Sequence, residues 1–418
     1  MKNKIYFFLI ILLSACHSKT QPPETTDEAV VDSFRVIDLE NNLDVCDEPP
    51  SLSLFVDSIS YVKLETTEKS LLGKVHRVQL TPEFIYLCAF TNKRPVMYSR
   101  NGEFIRFLGK IGQGPGEFLA VQDITASDSL IYIKSNYKHE LSVYDVHTNE
   151  FVREVIFPKK YDSYVSESAH MSLLGNNVVL YPGCSSESLD LPVTSSVACI
   201  IDPDNAIVAN QEPYLSPSFL SNRPGFMVTS FIHPWWYDGH SNAYSLVNDT
   251  IYGVAQDSIF PRYLVNLGKY KMPVEEYDMR KGGRASYISI ESFVETKEIL
   301  LFTFAYNLKC WLSVYDKRNG LIRSWNTPPV KAINGMAFGV FSVVNDLDGG
   351  SNVGGYTYIA DSKHLFSVID SDNKNKVRED LQRNKDVKFP EKRMELMKMI
   401  DEMGEDENPI IVFYKLKN

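Results

Sequence analysis

From residue 55 onward the chain alternates apolar and polar positions over short runs, each run ending in turn formers. A period of two is the strand pattern, and abundant Val, Ile, Tyr and Phe favour sheet. Two segments share a pentapeptide: "LSVYDVHTNEFVREVIF" from Leu141 and "LSVYDKRNGLIRSWN" from Leu312. Each is an apolar strand, a polar turn and a second strand, which together make a hairpin. Weaker copies are "PVMYSRNGEFIRFLG" from Pro95, "VACIIDPDNAIVAN" from Val197 and "TIYGVAQDSIFPRYLVNLG" from Thr250. Their turns fall near Ser99, Asp145, Asp202, Asp257 and Asp316, at intervals of about 45 to 60 residues, the span of one four-stranded blade in a radial repeat.

Two further strands precede most of these hairpins, as in "VHRVQL" and "FIYLCAF", "AVQDITAS" and "SLIYIKSN", "HMSLLG" and "NVVLYPG", and "SYISIESFVET" and "EILLFTFAYN". Five hairpins are visible, and the sixth is divided between the ends of the chain. The terminal "NPIIVFYKLK" has no partner after it, and "DSISYVKLET", residues 57–66, has no blade before it. Pairing the two completes a ring and removes its open edges. The pattern therefore predicts an all-β fold over residues 54–418: a six-bladed β-propeller of four-stranded antiparallel blades, the last closed by N- and C-terminal strands. A charged excursion at 374–407 contains "PEKRMELMKMIDEM", where Met394, Met397 and Ile400 form a helical stripe after Pro390. This predicts a small helical insertion packed on its own blade.

"GKIGQGPGEF", residues 109–118, has the glycine density of a phosphate cradle. A cradle needs a helix after it, whose N-terminal amides hold the anion. Here "LAVQDITASDSLIYIKSN" follows, with the strand period. The loop is read as a corner joining the outer strand of the first blade to the inner strand of the second.

Lys2 and Lys4 precede an apolar run from Ile5 to Leu13, too short to span a bilayer and right for a signal-peptide core. It ends in "LSAC", which resembles a lipobox. Residues 1–15 are thus read as a lipoprotein signal peptide, Cys16 as the lipidated residue, and 16–53 as a flexible tether. The implied address is the cell envelope, lipid-anchored to a bacterial membrane, the outer one by preference. Five other cysteines (Cys46, Cys88, Cys184, Cys199 and Cys310) have no metal-ligand spacing. A formal charge of -10 excludes the basic face that nucleic acid requires.

"YVKLETT", "GKIGQGPGEF", "VNDTIYGV", "NDLDGG" and the terminal "NPIIVFYKLK" occur in the order found in a family of bacterial six-bladed propeller lipoproteins described as TolB-like or NHL-like. The chain resembles that family across residues 54–418. It departs from it after "DGG", where "SNVGGYTYIAD" replaces an aromatic-proline element. The resemblance implies a cell-envelope propeller without an established catalytic set.

Linear signatures of hydrolases and zinc sites are absent from the sequence. In "NDLDGGSN", Asp346, Asp348 and Asn352 imitate part of a calcium loop, but Thr357 stands where the closing glutamate belongs. The segment is read as a tight Asp-Gly turn. No cofactor is implied. "FIHPWWYDGH", residues 231–240, places two tryptophans side by side, and neighbours on a strand face opposite ways, so they cannot share one core. His233, Trp235, Trp236 and Tyr237 are the candidate binding residues for a sugar or peptide ring. The functional expectation is a non-catalytic scaffold binding a protein or glycan at one mouth of the channel. The alternative is an envelope hydrolase or lyase whose residues come from several blades.

Overall fold

The computed structural model describes residues 35–418 apart from 49, 136–139, 158–169, 182–183, 186–196, 212–228, 231–233, 246–247, 274–275, 277–283, 329–331, 334–335, 338–340 and 355–357. Cys16 and His233 lie outside the described residues, as does the signal peptide. Six blades form a β-propeller. Blade 1 comprises Val75–Leu80, Phe84–Ala89, Val96–Ser99 and Phe104–Phe107, paired antiparallel in that order. Blade 2 runs from Val121–Ala126 to Phe151–Ile156, blade 3 from His170–Leu174 to Ile207–Asn210, blade 4 from Trp235–Tyr237 to Ile259–Asn266, and blade 5 from Ser289–Glu295 to Ile322–Asn326.

Blade 6 is built from both ends of the fold. Tyr358–Ile359, His364–Ile369 and Ile410–Leu416 supply its inner three strands, and Val56–Lys63 is the outermost. The closing pair is antiparallel, with Ile59 opposite Tyr414 and Tyr61 opposite Val412.

The apolar runs are nearly continuous because each blade is covered on both faces. Along Phe84–Ala89, Ile85, Leu87 and Ala89 pack toward blade 6, whereas Tyr86 and Cys88 pack toward blade 2. One apolar cluster fills each of the six blade interfaces among the described residues. The same alternation separates the two tryptophans. Trp235 enters the interface with blade 5, and Trp236 lies against the interface with blade 3. Cys88, Cys199 and Cys310 are buried.

The segment expected as tether is folded from Arg35 onward. Arg35–Asp38 pairs parallel with Tyr263–Asn266 as a fifth strand on the rim of blade 4. The chain then passes along blade 5, where the Cys46 amide donates to the Ser324 carbonyl (2.8 Å), before entering blade 6. Ile37, Leu39 and Leu52 are fully buried, which gives this segment the apolar contacts a tether lacks. Residues 35–53 are therefore a strap across three blades.

The insertion holds two helices, α1 (Lys374–Arg383) and α2 (Pro390–Glu402). The buried stripe of α2 is Leu396 and Ile400, with Met397 beside them. Met394, expected on that stripe, is 63 % exposed, because the buried face is centred on Leu396 and Ile400, one turn apart. Val377 and Leu381 of α1 join the same cluster, so both helices are packed onto blade 6.

The glycine loop joins blade 1 to blade 2. Gly109 and Gly116 have φ of 74° and 73°, where a side chain is strained. A Cβ on Gly109 would fall 2.5 Å from the Phe118 ring. Glu117 closes the loop from within, accepting the Gly114 amide (3.1 Å) and pairing with Lys110.

Deleting Ile410–Asn418 removes five consecutive buried apolar side chains. At about 1.5–3 kcal/mol each, their loss matches the whole stability of an ordinary domain, about 5–15 kcal/mol. The truncated chain is expected to be insoluble or to lack a cooperative thermal transition; a soluble product with an unchanged melting curve would contradict closure by this strand.

Candidate functional site

The two faces of the ring differ in their connections. On one face consecutive strands turn within 81–83, 127–129, 175–176, 238–239 and 296–298. On the other face the strand ends are further apart in sequence, as in the described links 64–74, 108–120 and 370–409. Binding residues sit disproportionately on loops held by a rigid scaffold. The inner strands begin at the long-loop face, so their first residues form the channel mouth there.

Three inner strands carry a β-bulge near this mouth. The register slips between Val75 and Arg77, between Val121 and Asp123, and between Ile290 and Ser292. The extra residues are His76, Gln122 and Glu291. A bulge re-aims its side chain and is over-represented beside active sites.

Around two of these bulges lies a cluster of ionisable groups. Asp123 is buried, with Arg77 Nε at 2.9 Å, His170 Nδ1 at 3.7 Å, and the amides of Ile124 (2.8 Å) and Met171 (3.3 Å) donating to it. The Arg77 contact is an ion pair, because Nε makes no aligned hydrogen bond. Burial pushes the Asp123 carboxyl up, but the Arg77 charge and the neighbouring His170 outweigh it and hold the group at about 2. Its carboxylate thus ties the inner strands of blades 1, 2 and 3 together. Lys134 is fully buried alongside, and its Nζ donates to Gln122 Oε1 (2.6 Å). Burial brings this amine down to about 8, against the pull of Asp123.

A cavity of about 600 Å³ opens between blades 6 and 1, α1 and the turn at 345–354. Its wall includes Lys74, His76 and Phe90 from blade 1, Asp370 and Asn373 at the start of α1, and Asn352. The turn is rigid by construction. Asp348 accepts from Tyr61 Oη, from Asn345 Nδ2 (2.6 Å) and from the Gly350 amide (2.9 Å). Asp346 faces away and accepts from the amide (2.9 Å) and hydroxyl (2.6 Å) of Ser53. Both carboxylates fasten the turn to blade 6 and the strap. Among the described residues no three His, Cys, Asp or Glu side chains converge as a metal site.

Of the residues singled out in "FIHPWWYDGH", Trp235, Trp236 and Tyr237 form the inner strand of blade 4, beside the short turn at 238–239. Trp235 is 1 % exposed, stacks on Phe293 (4.4 Å between centroids) and donates Nε1–H to Glu295 Oε2 (2.8 Å). Glu295 also accepts from Arg262 (2.9 and 3.0 Å) and from Lys317 Nζ (2.7 Å). Tyr237 is half-buried beneath these cations, with Lys317 Nζ 3.5 Å from its ring centre. Trp235 is thus part of an interblade anchor, and Trp236 and Tyr237 are the partly exposed members of the group. Arg262 reaches Asn242 and Glu295 across Gly253, where a Cβ would stand 2.8 Å from its Cδ.

A family model described as "Domain of unknown function (DUF4934)" matches residues 34–415. The chain belongs to that family. A putative exported protein from Bacteroides fragilis has a similar structure, with TM-score 0.58 and 17% identity, covering 92% of this chain and 100% of that one. More distant likenesses are the WD40 domain of Toxoplasma gondii coronin (TM-score 0.40, 6% identity, 76% of this chain and 72% of that one) and Myxococcus xanthus glutaminyl cyclase (0.28, 9%, 67% and 100%). The comparison with curated proteins finds no match. The DUF4934 match and the Bacteroides structure establish the architecture, and function has to be read from the site.

Glu291 supplies a test of the mouth. Burial raises its carboxyl to about 7, and no hydrogen bond or ion pair to it exists among the described residues. A raised pKa means that the folded state holds the proton more tightly than the unfolded one. The stabilisation is present below the unfolded value of about 4.3 and is lost as pH rises through about 7. Glu291→Gln is expected to leave the melting temperature unchanged near pH 4 and to raise stability at pH 8 by about 3–4 kcal/mol. Denaturant titrations at both pH values check this, and equal effects at both would contradict it.

Proposed function

We propose that this chain is a cell-envelope binding propeller of the TolB-like or NHL-like kind, held to a membrane by lipid on Cys16 and presenting its long-loop face to a glycan or protein ligand. The observation that carries this reading is the 600 Å³ cavity, a volume within the range of small-molecule sites. Its walls come from elements locked by the strap, the closing strand and α1. A preformed wall reduces the ordering cost of binding. The signal-like residues 1–15 and the lipobox support the address.

A catalytic reading, as an envelope hydrolase or lyase, has one observation in its favour. The Glu291 carboxyl, held at about 7, suits a general acid or base. Glu291 lies outside the wall of the cavity, which favours the non-catalytic reading.

Two experiments test the proposal. Asn352 is exposed on the cavity wall, so Asn352→Trp narrows the entrance without touching the core. With immobilised full chain probed by a glycan array and a random-peptide library, the substitution is expected to weaken captured probes at least about tenfold, or about 1.4 kcal/mol, with an unchanged melting curve. An absence of captured probes, or capture insensitive to Asn352→Trp, would overturn the binding reading. For the anchor, Cys16→Ser is expected to abolish acyl labelling and release the protein from membranes. Persistent labelling of that variant would remove the lipid from the proposal.

A further inference from the structure

We propose that the cavity beside blade 1 takes a neutral pyranose ring, stacked on the free face of Phe90. This rests on the binding reading above and names its ligand class.

The inference begins with an aromatic side chain that the core does not use. Phe90 is 73 % exposed, yet it is held in place. Its amide donates to the Lys74 carbonyl (3.1 Å), and the following turn is pinned to 71–73 through Asn92, which accepts the Gly73 amide (3.0 Å) and donates to the Leu71 carbonyl (3.2 Å). Behind the ring lies His76, stacked at 4.4 Å between centroids and 27° between planes. The bulge between Val75 and Arg77 places that imidazole there. His76 thus buttresses one face of Phe90 and leaves the other open. Burial lowers the His76 pKa, which disfavours a charge on the backing ring.

The chemistry of the cavity selects among flat ligands. The polar face of the wall mixes carboxylates (Asp370 and Asp372), amides (Asn352 and Asn373) and an ammonium (Lys74). Hydroxyl groups both donate and accept, so a polyol ring can satisfy such a mixture, and its apolar C–H face covers an aromatic ring. A nucleotide would stack equally well on Phe90, but its phosphate requires an excess of cations. Lys376, the other ammonium in the wall, is paired with Asp380 at 3.0 Å, and the two aspartates repel an anion. An apolar ligand would leave these polar groups desolvated without partners, at a cost that favours a sugar.

The test uses the full chain and millimolar methyl glycosides of glucose, galactose, mannose and N-acetylglucosamine, read by saturation-transfer NMR. At least one glycoside is expected to show saturation concentrated on the C–H protons of one ring face. Phe90→Ala is expected to weaken it about five- to tenfold, and Phe90→Trp to retain it. Because Phe90 is mostly exposed, neither substitution should move the melting curve. Undiminished saturation in Phe90→Ala, or no saturation by any of the four glycosides, would overturn the sugar assignment. If peptides from the library are captured in an Asn352-sensitive manner while all four glycosides give no signal, the sugar class falls and the binding reading stands. Loss of both would remove both.

Discussion

The antiparallel pairing of Val56–Lys63 with Ile410–Leu416 is the constraint on which the rest depends. A blade buries both faces only if it has a neighbour on each side, so the six interface clusters are mutually conditional. An open stack of the same blades would leave two apolar faces in water. The closing strand also fixes blade 6 beside blade 1, and the cavity exists only because those two blades meet. Tyr61, on the strand brought in from the N-terminal side, receives the turn at 345–354 through Asp348. The helical insertion docks on the other side of that turn, where Ser351 Oγ donates to Asp380 Oδ2 (2.9 Å).

Around the channel, charged groups perform at the inner strands what apolar side chains perform further out. Asp123 ties blades 1, 2 and 3 at the end near the long loops, and Glu295 ties blades 4 and 5 near the short turns. Buried ion pairs are weak sources of net stability, but losing one partner strands the other charge and costs about 3–5 kcal/mol. Such pairs fix which blade faces which, and they fix the angle at which the mouth residues are presented.

The hairpin repeat was legible because each blade repeats one alternation of apolar and polar positions, and the closing pair because two orphan strands had matching patterns. The inner strands of blade 4, Trp235–Tyr237 and His240–Tyr244, were harder to read. They are short, and "HSNAY" carries too few apolar residues to stand out. Arg35–Asp38 escaped because a four-residue parallel edge strand leaves little period to detect. The ionic cluster at the mouth left no linear signal: Arg77, Asp123 and His170 are single polar residues in separate strands. A lysine inside the apolar run "LIYIKS" was the one available hint, since Lys134 had to find a polar partner there. Bulges are matters of register between strands, so His76, Gln122 and Glu291 could not be distinguished from their neighbours. Phe90 was readable as the end of a strand, but its exposed face depends on the bulge beneath it.

The division of blade 6 also sets the order in which the fold can be completed. Its outermost strand lies near the start of the chain and its partner at the end, so this contact has nearly the largest sequence separation available and a high loop-closure cost. During synthesis, five blades can form while the sixth waits for Ile410–Leu416 to emerge. Until then Val56–Lys63 is an unpaired strand bearing Val56, Ile59 and Tyr61, a segment able to pair with another copy of itself. The meeting of the ends is therefore the pairing with the greatest closure cost, and dilution or a chaperone holding residues 56–63 would favour the ring over the aggregate.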